Sequence, residues 1–164
     1  MDETDSIGAE RVREAPAVTS TSGYRVDLVP IDTLQLHEEH DASYALQLSR
    51  TIQSDGVLLR PVVVEEASRT LLDGHHRLVA LRSLGCRVVP CILLDYEDPR
   101  ITLDSWSPDR SVSRLMVLSA AAHGPLLPPK TTRHIFDPDL GEIRVDLDAL
   151  LADPAPNCVT TSSI

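Results

Sequence analysis

One short segment, Thr70–Gly85, constrains the fold of this chain more than any other. It opens with the apolar run Thr70–Asp73, which is typical of a short buried strand. Gly74 follows, and after it leucines recur every three residues, as they do on one face of a helix. The segment therefore predicts a strand, a tight turn and a helix, a unit that belongs in a sheet with helices packed against it.

Apolar patterning elsewhere predicts more elements of both kinds. Further strands are predicted at Tyr24–Val29, Val57–Val64, Arg87–Asp95, Lys130–Phe136 and Glu142–Val145. Further helices are predicted at Asp41–Ser54 and Val112–Ala122, with a last helical turn at Leu147–Leu151. Pro90 suggests that its strand lies at an edge or contains a bulge. The alternation predicts a compact α/β (α+β) domain, a mixed sheet with flanking helices.

The length of 164 residues corresponds to about one domain. Residues 1–22 and 152–164 are rich in Ser, Thr, Pro and acidic residues, and we expect them to be a disordered leader and a flexible tail. The folded domain is predicted to occupy residues 23–151.

Charge and composition exclude several classes of function. The chain has 15 Lys+Arg against 25 Asp+Glu, a formal charge of −10, and Lys130 is its only lysine. Such a field repels a phosphate backbone, so we expect no nucleic-acid partner. No apolar stretch is long enough to span a bilayer, and the acidic Met1–Glu14 lacks the apolar core of a secretory signal. Three cysteines without paired spacing predict no disulfide framework. We therefore expect a cytoplasmic protein without a membrane partner.

The densest polar cluster is Asp73–Arg77, at the predicted strand-to-helix turn. A helix that begins after a glycine presents unpaired N–H groups and a positive dipole end to an anion. Cationic side chains in a first helical turn oppose the helix dipole, and a bound anion would relieve that conflict. The alternative is that Asp73 only caps the helix and that the histidines are ordinary surface residues.

A second cluster, His37–Asp41, precedes the first predicted helix. Its carboxylates could simply complement the helix dipole. A zinc site is not expected, because adjacent residues lack the i, i+4 spacing of a His-Glu-x-x-His helix. A carboxylate close to a phosphate site could instead act as a general base toward a hydroxyl.

The third cluster, Lys130–His134, follows two prolines. On a strand its side chains alternate between two faces, and either face offers donors suited to a carboxylate or a phosphate. A solvated edge strand is the alternative. Trp106, the single tryptophan, either walls a pocket or packs at the boundary of the core.

Together these motifs resemble the free L-serine kinases of the ParB/sulfiredoxin superfamily. The resemblance lies in Asp73–Gly85 followed by Pro90–Tyr96, in the His-Glu pair that begins at His37, and in Pro129–His134. It implies an enzyme that phosphorylates the hydroxyl of free L-serine to O-phospho-L-serine, with ADP or ATP as donor and Mg²⁺ as metal.

The resemblance also implies roles for single residues. Glu38 corresponds to the catalytic carboxylate that activates the serine hydroxyl, and Asp73 to an acidic residue near that hydroxyl that also holds the metal. The residues implied to hold phosphate are Gly74, His75, His76 and Arg77. Those implied to bind the substrate are Thr51, Trp106, Lys130, Thr131, Thr132, Arg133 and His134.

The chain departs from its longer relatives between Trp106 and Lys130, where Ser107–Pro128 has room only for about one helix and a linker. A larger insert is expected there in those relatives, and its absence leaves a second hypothesis open. The chain could be a non-catalytic nucleotide- or metabolite-sensing regulator. Cysteine sulfinic acid reduction is not expected, because His75 stands where sulfiredoxins have their reactive cysteine.

Overall fold

The computed structural model describes residues 18–152. The strands are β1 (Val18–Thr19), β2 (Arg25–Pro30), β3 (Val57–Leu58), β4 (Val62–Glu65), β5 (Thr70–Asp73), β6 (Val88–Leu94), β7 (Ile101–Ser105), β8 (Thr132–Phe136) and β9 (Val145–Asp146). The helices are α1 (Ala42–Asp55), α2 (His75–Ser83), α3 (Arg114–His123) and α4 (Leu147–Leu151), with a 3-10 turn at Ile31–Thr33.

Five strands form the main sheet in the order β1-β2-β6-β4-β5. The sheet is mixed, because β6 runs antiparallel to β2 and parallel to β4, while β5 runs antiparallel to β4. Two further pairs, β3 with β9 and β7 with β8, form separate two-stranded sheets. The predicted α/β architecture, a mixed sheet with flanking helices, is confirmed.

The core is aliphatic and centres on β4 and β6. Val62–Val64 and Val89 have no solvent exposure, as expected of strands that are covered on both faces. Helix α2 contributes Leu78 and Leu81 to this core, and α1 packs against α2. The leucine spacing noted in the sequence therefore corresponds to the buried face of α2.

The prediction of one strand at Val57–Val64 is wrong. Val57–Leu58 pairs with β9, whereas Val62–Glu65 lies in the main sheet beside β6. The chain changes sheets at Arg60-Pro61, where the proline has no N–H to donate to a ladder.

The prediction that Pro90 marks an edge strand or a bulge is also wrong, since β6 pairs in continuous register with both of its neighbours. Pro90 lies opposite Leu28 in β6, which is the middle strand of the sheet. Tertiary burial outweighs the loss of one backbone donor at this position.

The remaining differences are at element boundaries. Val18 and Thr19, in the predicted leader, pair with β2, so the fold begins earlier than predicted; residues 1–17 of the leader lie outside the described residues. Of the predicted tail, only Ala152 is described. Strand β7 was not predicted, β8 begins two residues later than expected, and β9 is shorter than the predicted Glu142–Val145.

Candidate active site

The turn before α2 requires a glycine. Gly74 has φ +102°, and a Cβ built there would lie 2.6 Å from Val62 Cγ1 and 3.0 Å from Arg77 Nη2. The missing side chain brings the turn against β4 and starts α2 at His75 with no side-chain cap. The first backbone N–H groups of α2 are therefore left without helical acceptors, as the sequence predicted.

A cavity of about 330 Å³ opens at this turn. All three polar clusters of the sequence contribute to its wall. The lining residues are Glu38, Tyr44, Leu48, Leu72, Asp73, Gly74, His75, His76, Arg77, Trp106, Lys130, Thr132, Arg133 and His134. The three clusters meet at this cavity, although its lining residues Glu38 and His134 lie 96 positions apart in the chain.

Glu38 is a buried carboxylate that joins the second cluster to the third. Its Oε1 accepts from the Lys130 backbone N–H at 2.9 Å. Its Oε2 accepts from the backbone N–H and the hydroxyl of Thr132 at 2.9 Å and 2.8 Å. Backbone pairing of His37 and Glu39 with Leu127 holds the same segment. The carboxylate is thus fixed in place at the cavity wall with its charge stabilised by donors.

Three imidazoles cluster behind and beside this carboxylate. The His37 ring centre lies 4.5 Å from that of His75 and 5.9 Å from that of His134. Burial lowers the pKa of His75 well below its usual range, and neighbouring His37 lowers it further. Burial, and then His37, lower the pKa of His134 to about 3. These rings are neutral at pH 7 and present hydrogen-bonding nitrogens, not positive charges.

Arg77 is held by the protein's own oxygens. Its Nη2 donates to Asp73 Oδ2 at 3.1 Å and to the Pro61 carbonyl at 3.0 Å, while its buried Nε has no partner. A buried donor without an acceptor carries a cost in free energy. Asp73 is half-buried, and its Oδ2 neutralises the Arg77 charge.

His76 contacts the start of α1. Its Nε2 accepts from the Asp41 backbone N–H at 3.0 Å, and its ring meets the Tyr44 ring edge-on at 4.8 Å. Burial is the largest cause that lowers the pKa of His76, followed by the charge of His40. Tyr44 and Leu48, one helical turn apart, form a partly apolar wall beside it.

The third cluster divides between the two faces of β8, as the sequence predicted for a strand. Thr132 and His134 point toward Glu38 and Tyr96, and the Tyr96 hydroxyl lies 2.7 Å from His134 Nε2. Arg133 stacks its guanidinium 4.8 Å from the centre of the Trp106 ring. Trp106 follows β7, whose pairing with β8 brings the tryptophan to the cavity.

Two residues predicted to bind the substrate do not line the cavity. Thr51 lies on the exposed face of α1, and its hydroxyl donates to Gln47 O at 3.2 Å. Thr131 is buried and donates to Pro128 O at 2.6 Å. The orientation of α1 points the Thr51 side chain away from the cavity. The hydrogen bond to Pro128 O holds the Thr131 side chain in the protein interior.

Tyr44, Leu48 and Leu72 line the cavity but were not predicted. The signal for the first two was present in the sequence. Asp41 caps α1 by accepting from the Ser43 and Tyr44 N–H groups, and the i, i+4 spacing then places Tyr44 and Leu48 on one face. No local pattern marks Leu72, which is a buried strand residue like its neighbours.

Residues 18–152 contain no group of three or more His, Cys, Asp or Glu side chains arranged to hold a metal ion. Mg²⁺ needs fewer protein ligands than such a group provides, since it is commonly bound by one or two carboxylates together with substrate phosphates and water. Asp73 fits that role as a single half-buried carboxylate on the cavity wall.

Comparison with known proteins identifies relatives in sequence and in structure. No model of a protein family matches the chain. It is 35% identical over 85 residues to an ATP-dependent L-serine kinase of Desulfurococcus mucosus, a match that covers 49% of this chain and 33% of that protein. It is 24% identical over 106 residues to the ADP-dependent L-serine kinase SerK of Thermococcus kodakarensis, covering 62% of this chain and 43% of the relative.

A solved structure of free serine kinase in complex with AMP superposes with a TM-score of 0.71 at 14% identity, covering 81% of this chain and 96% of that one. The chain therefore has the fold of free serine kinase. Within that class, its sequence is similar to L-serine kinases, and the resemblance inferred from the motifs is confirmed. The first curated relatives are matched over only about a third of their length.

Proposed function

We propose that this protein is a nucleotide-dependent kinase that transfers a phosphoryl group from ADP or ATP to the hydroxyl of free L-serine. The single observation that supports this most strongly is the cavity in which Glu38, Asp73 and the turn Gly74–Arg77 meet Lys130–His134. A candidate base, a candidate metal ligand and a set of phosphate-binding groups share one wall.

The proposed division of labour follows from the contacts. The Glu38 carboxylate takes the proton of the serine hydroxyl as the serine oxygen forms its bond to phosphorus and the bond to the leaving phosphate oxygen breaks. The α2 N-terminus, His75, His76 and Arg77 hold the phosphate oxygens. Asp73 would hold Mg²⁺, which supplies neutralisation of phosphate charge when bound.

The substrate is expected on the side of the third cluster. Lys130 offers the one lysine ammonium of the chain at the cavity wall, and Arg133 offers a guanidinium already stacked on Trp106. These donors suit the carboxylate of an amino acid, and phosphoryl transfer needs such positioning more than covalent chemistry.

The direct test is to incubate the protein with L-serine, Mg²⁺ and either ADP or ATP, and to detect O-phosphoserine by mass spectrometry. We expect product with one of the two donors. Glu38→Gln is expected to slow its formation by about 10²–10⁴, and Glu39→Gln, a change of the adjacent exposed carboxylate, serves as the matched control. Nucleotide binding by calorimetry without product would overturn the proposal in favour of a nucleotide-sensing regulator.

We expect the reaction in the cytoplasm. Among residues 18–152, no helix combines the length and apolar character needed to cross a bilayer. The two described cysteines, Cys86 and Cys91, are buried thiols whose pKa values are raised by burial, and they suit a reducing compartment.

A further inference from the structure

The side chain of His37 has no solvent exposure and lies behind Glu38, outside the set of residues that line the cavity. Its Nδ1 is 2.7 Å from the carbonyl oxygen of Leu71. A carbonyl only accepts, so Nδ1 carries a hydrogen. In the neutral ring, Nε2 is then left as an acceptor.

The Thr132 hydroxyl stands between two acceptors. Its Oγ1 lies 3.0 Å from His37 Nε2 and 2.8 Å from Glu38 Oε2. The nitrogen and the carboxylate oxygen are themselves 3.9 Å apart, too far for a direct hydrogen bond. A hydroxyl has one hydrogen, so neutral His37 and ionised Glu38 compete for it. Thr132 can therefore donate to only one of these two acceptors at a time.

One added proton on Glu38 Oε2 completes the set. The carboxylic acid then donates to Thr132 Oγ1, the Thr132 hydroxyl donates to His37 Nε2, and His37 Nδ1 still donates to Leu71 O. Hydrogen bonds that favour the protonated form of a group raise its proton affinity.

We propose that His37 is a positioning residue that makes Glu38 a stronger base by drawing the Thr132 hydrogen away from its carboxylate. The inference rests on the proposed function, because it assigns Glu38 as the base toward the serine hydroxyl. In the step itself the serine O–H bond breaks and an O–H bond forms on Glu38, while the proton on His37 Nδ1 stays in place.

Two substitutions separate this role from a merely structural one. His37→Asn retains a donor near Nδ1 for Leu71 O but has no acceptor in the place of Nε2, whereas His37→Gln places its amide oxygen near Nε2. We expect His37→Asn to lower kcat by on the order of tenfold, a part of the roughly 10²–10⁴ that general-base catalysis contributes, with little change in KM. His37→Gln is expected to retain most of kcat.

The dependence of kcat on pH gives a further test, because a packing defect alone does not change the pH at which kcat falls. Without the competing Nε2, Thr132 donates to Glu38 at all times, so the acidic limb of kcat moves to lower pH in His37→Asn. The other titratable groups that face His37 are His75, His134 and Glu38 itself, and they are unchanged in both histidine variants. Equal losses in the two variants, the reverse order, or an unmoved limb would overturn the proposal.

A second measurement needs neither a variant nor activity. ¹⁵N NMR of the unliganded protein at neutral pH should show His37 neutral, with the hydrogen on Nδ1 and Nε2 bare. A hydrogen on Nε2, in the other tautomer or in an imidazolium, removes the competition for Thr132 and overturns the inference. If the wild-type protein does not phosphorylate serine, the proposed function fails. The tautomer of His37 would still show whether His37 and Glu38 compete for the Thr132 hydrogen.

Discussion

The Glu38 carboxylate accepts a hydrogen bond from the backbone N–H of Lys130 at 2.9 Å, across 92 positions of sequence. The same carboxylate accepts twice from Thr132. A residue proposed as a base thus also holds the segment that enters β8. Substitution of Glu38 therefore affects both the stability of the fold and the rate of the reaction. Different substitutions at this position separate the two effects.

Glu38→Ala leaves buried donors of the 130–132 segment without an acceptor. We expect this to lower the free energy of unfolding by about 1–3 kcal/mol, the cost of an unsatisfied buried donor. Glu38→Gln retains an acceptor oxygen and should lose less stability, yet lower kcat by about 10²–10⁴, since a neutral amide cannot take a proton. Denaturant unfolding and steady-state kinetics measure the two effects; wild-type turnover in Glu38→Gln would remove Glu38 from the mechanism.

Gly74→Ala should disrupt the turn between β5 and α2. An alanine at φ +102° is strained, and its Cβ would approach Val62 Cγ1 to 2.6 Å. Gly85→Ala is the matched control, because Gly85 has φ +84° with nothing within 4 Å of the built Cβ. Both changes carry the cost of positive φ, so we expect Gly74→Ala to be less stable than Gly85→Ala by about 1–3 kcal/mol, the cost of overpacking. Equal stabilities would show that β4 moves aside.

Stability should fall as the pH is lowered from 7 toward 4. Burial lowers the pKa values of His37, His75 and His134, the last to about 3. Below about 6.5 the unfolded chain binds protons at these histidines while the folded chain does not, so the free energy of unfolding decreases with falling pH. His134→Gln is expected to flatten this dependence in thermal unfolding between pH 7 and 4. Equal slopes in the wild-type protein and in His134→Gln would contradict the assignment.

Trp106 and Thr51 should differ in their effect on serine binding. Trp106 lines the cavity with Arg133 stacked on it, whereas Thr51 lies outside the cavity. We expect Trp106→Ala to raise the KM for serine several-fold, in line with the roughly 0.5–1 kcal/mol of an exposed cation–π contact. Thr51→Ala should leave that KM unchanged. A raised KM in Thr51→Ala would restore the role that the family resemblance implied for it.

Local sequence patterns were sufficient to predict the elements around the turn. Thr70–Asp73 is a strand with the predicted bounds, and Gly74 starts a helix whose leucines are buried, because each of these features depends on neighbours a few residues away. The same patterns failed at Val57–Val64, where two halves of one apolar run enter different sheets. Strand pairing is non-local, and an apolar run does not encode its partner.

The sequence by itself determined which residue types stand at the turn between β5 and α2 and that three polar clusters are present, since strand and helix periodicity and the demands of a glycine turn are local properties. Only the tertiary structure decided that Glu38 meets Thr132, that Tyr44 lines the cavity while Thr51 does not, and that one hydrogen is shared between His37 and Glu38. Those relationships depend on sheet register and helix orientation, which are set when distant segments bury their apolar faces together.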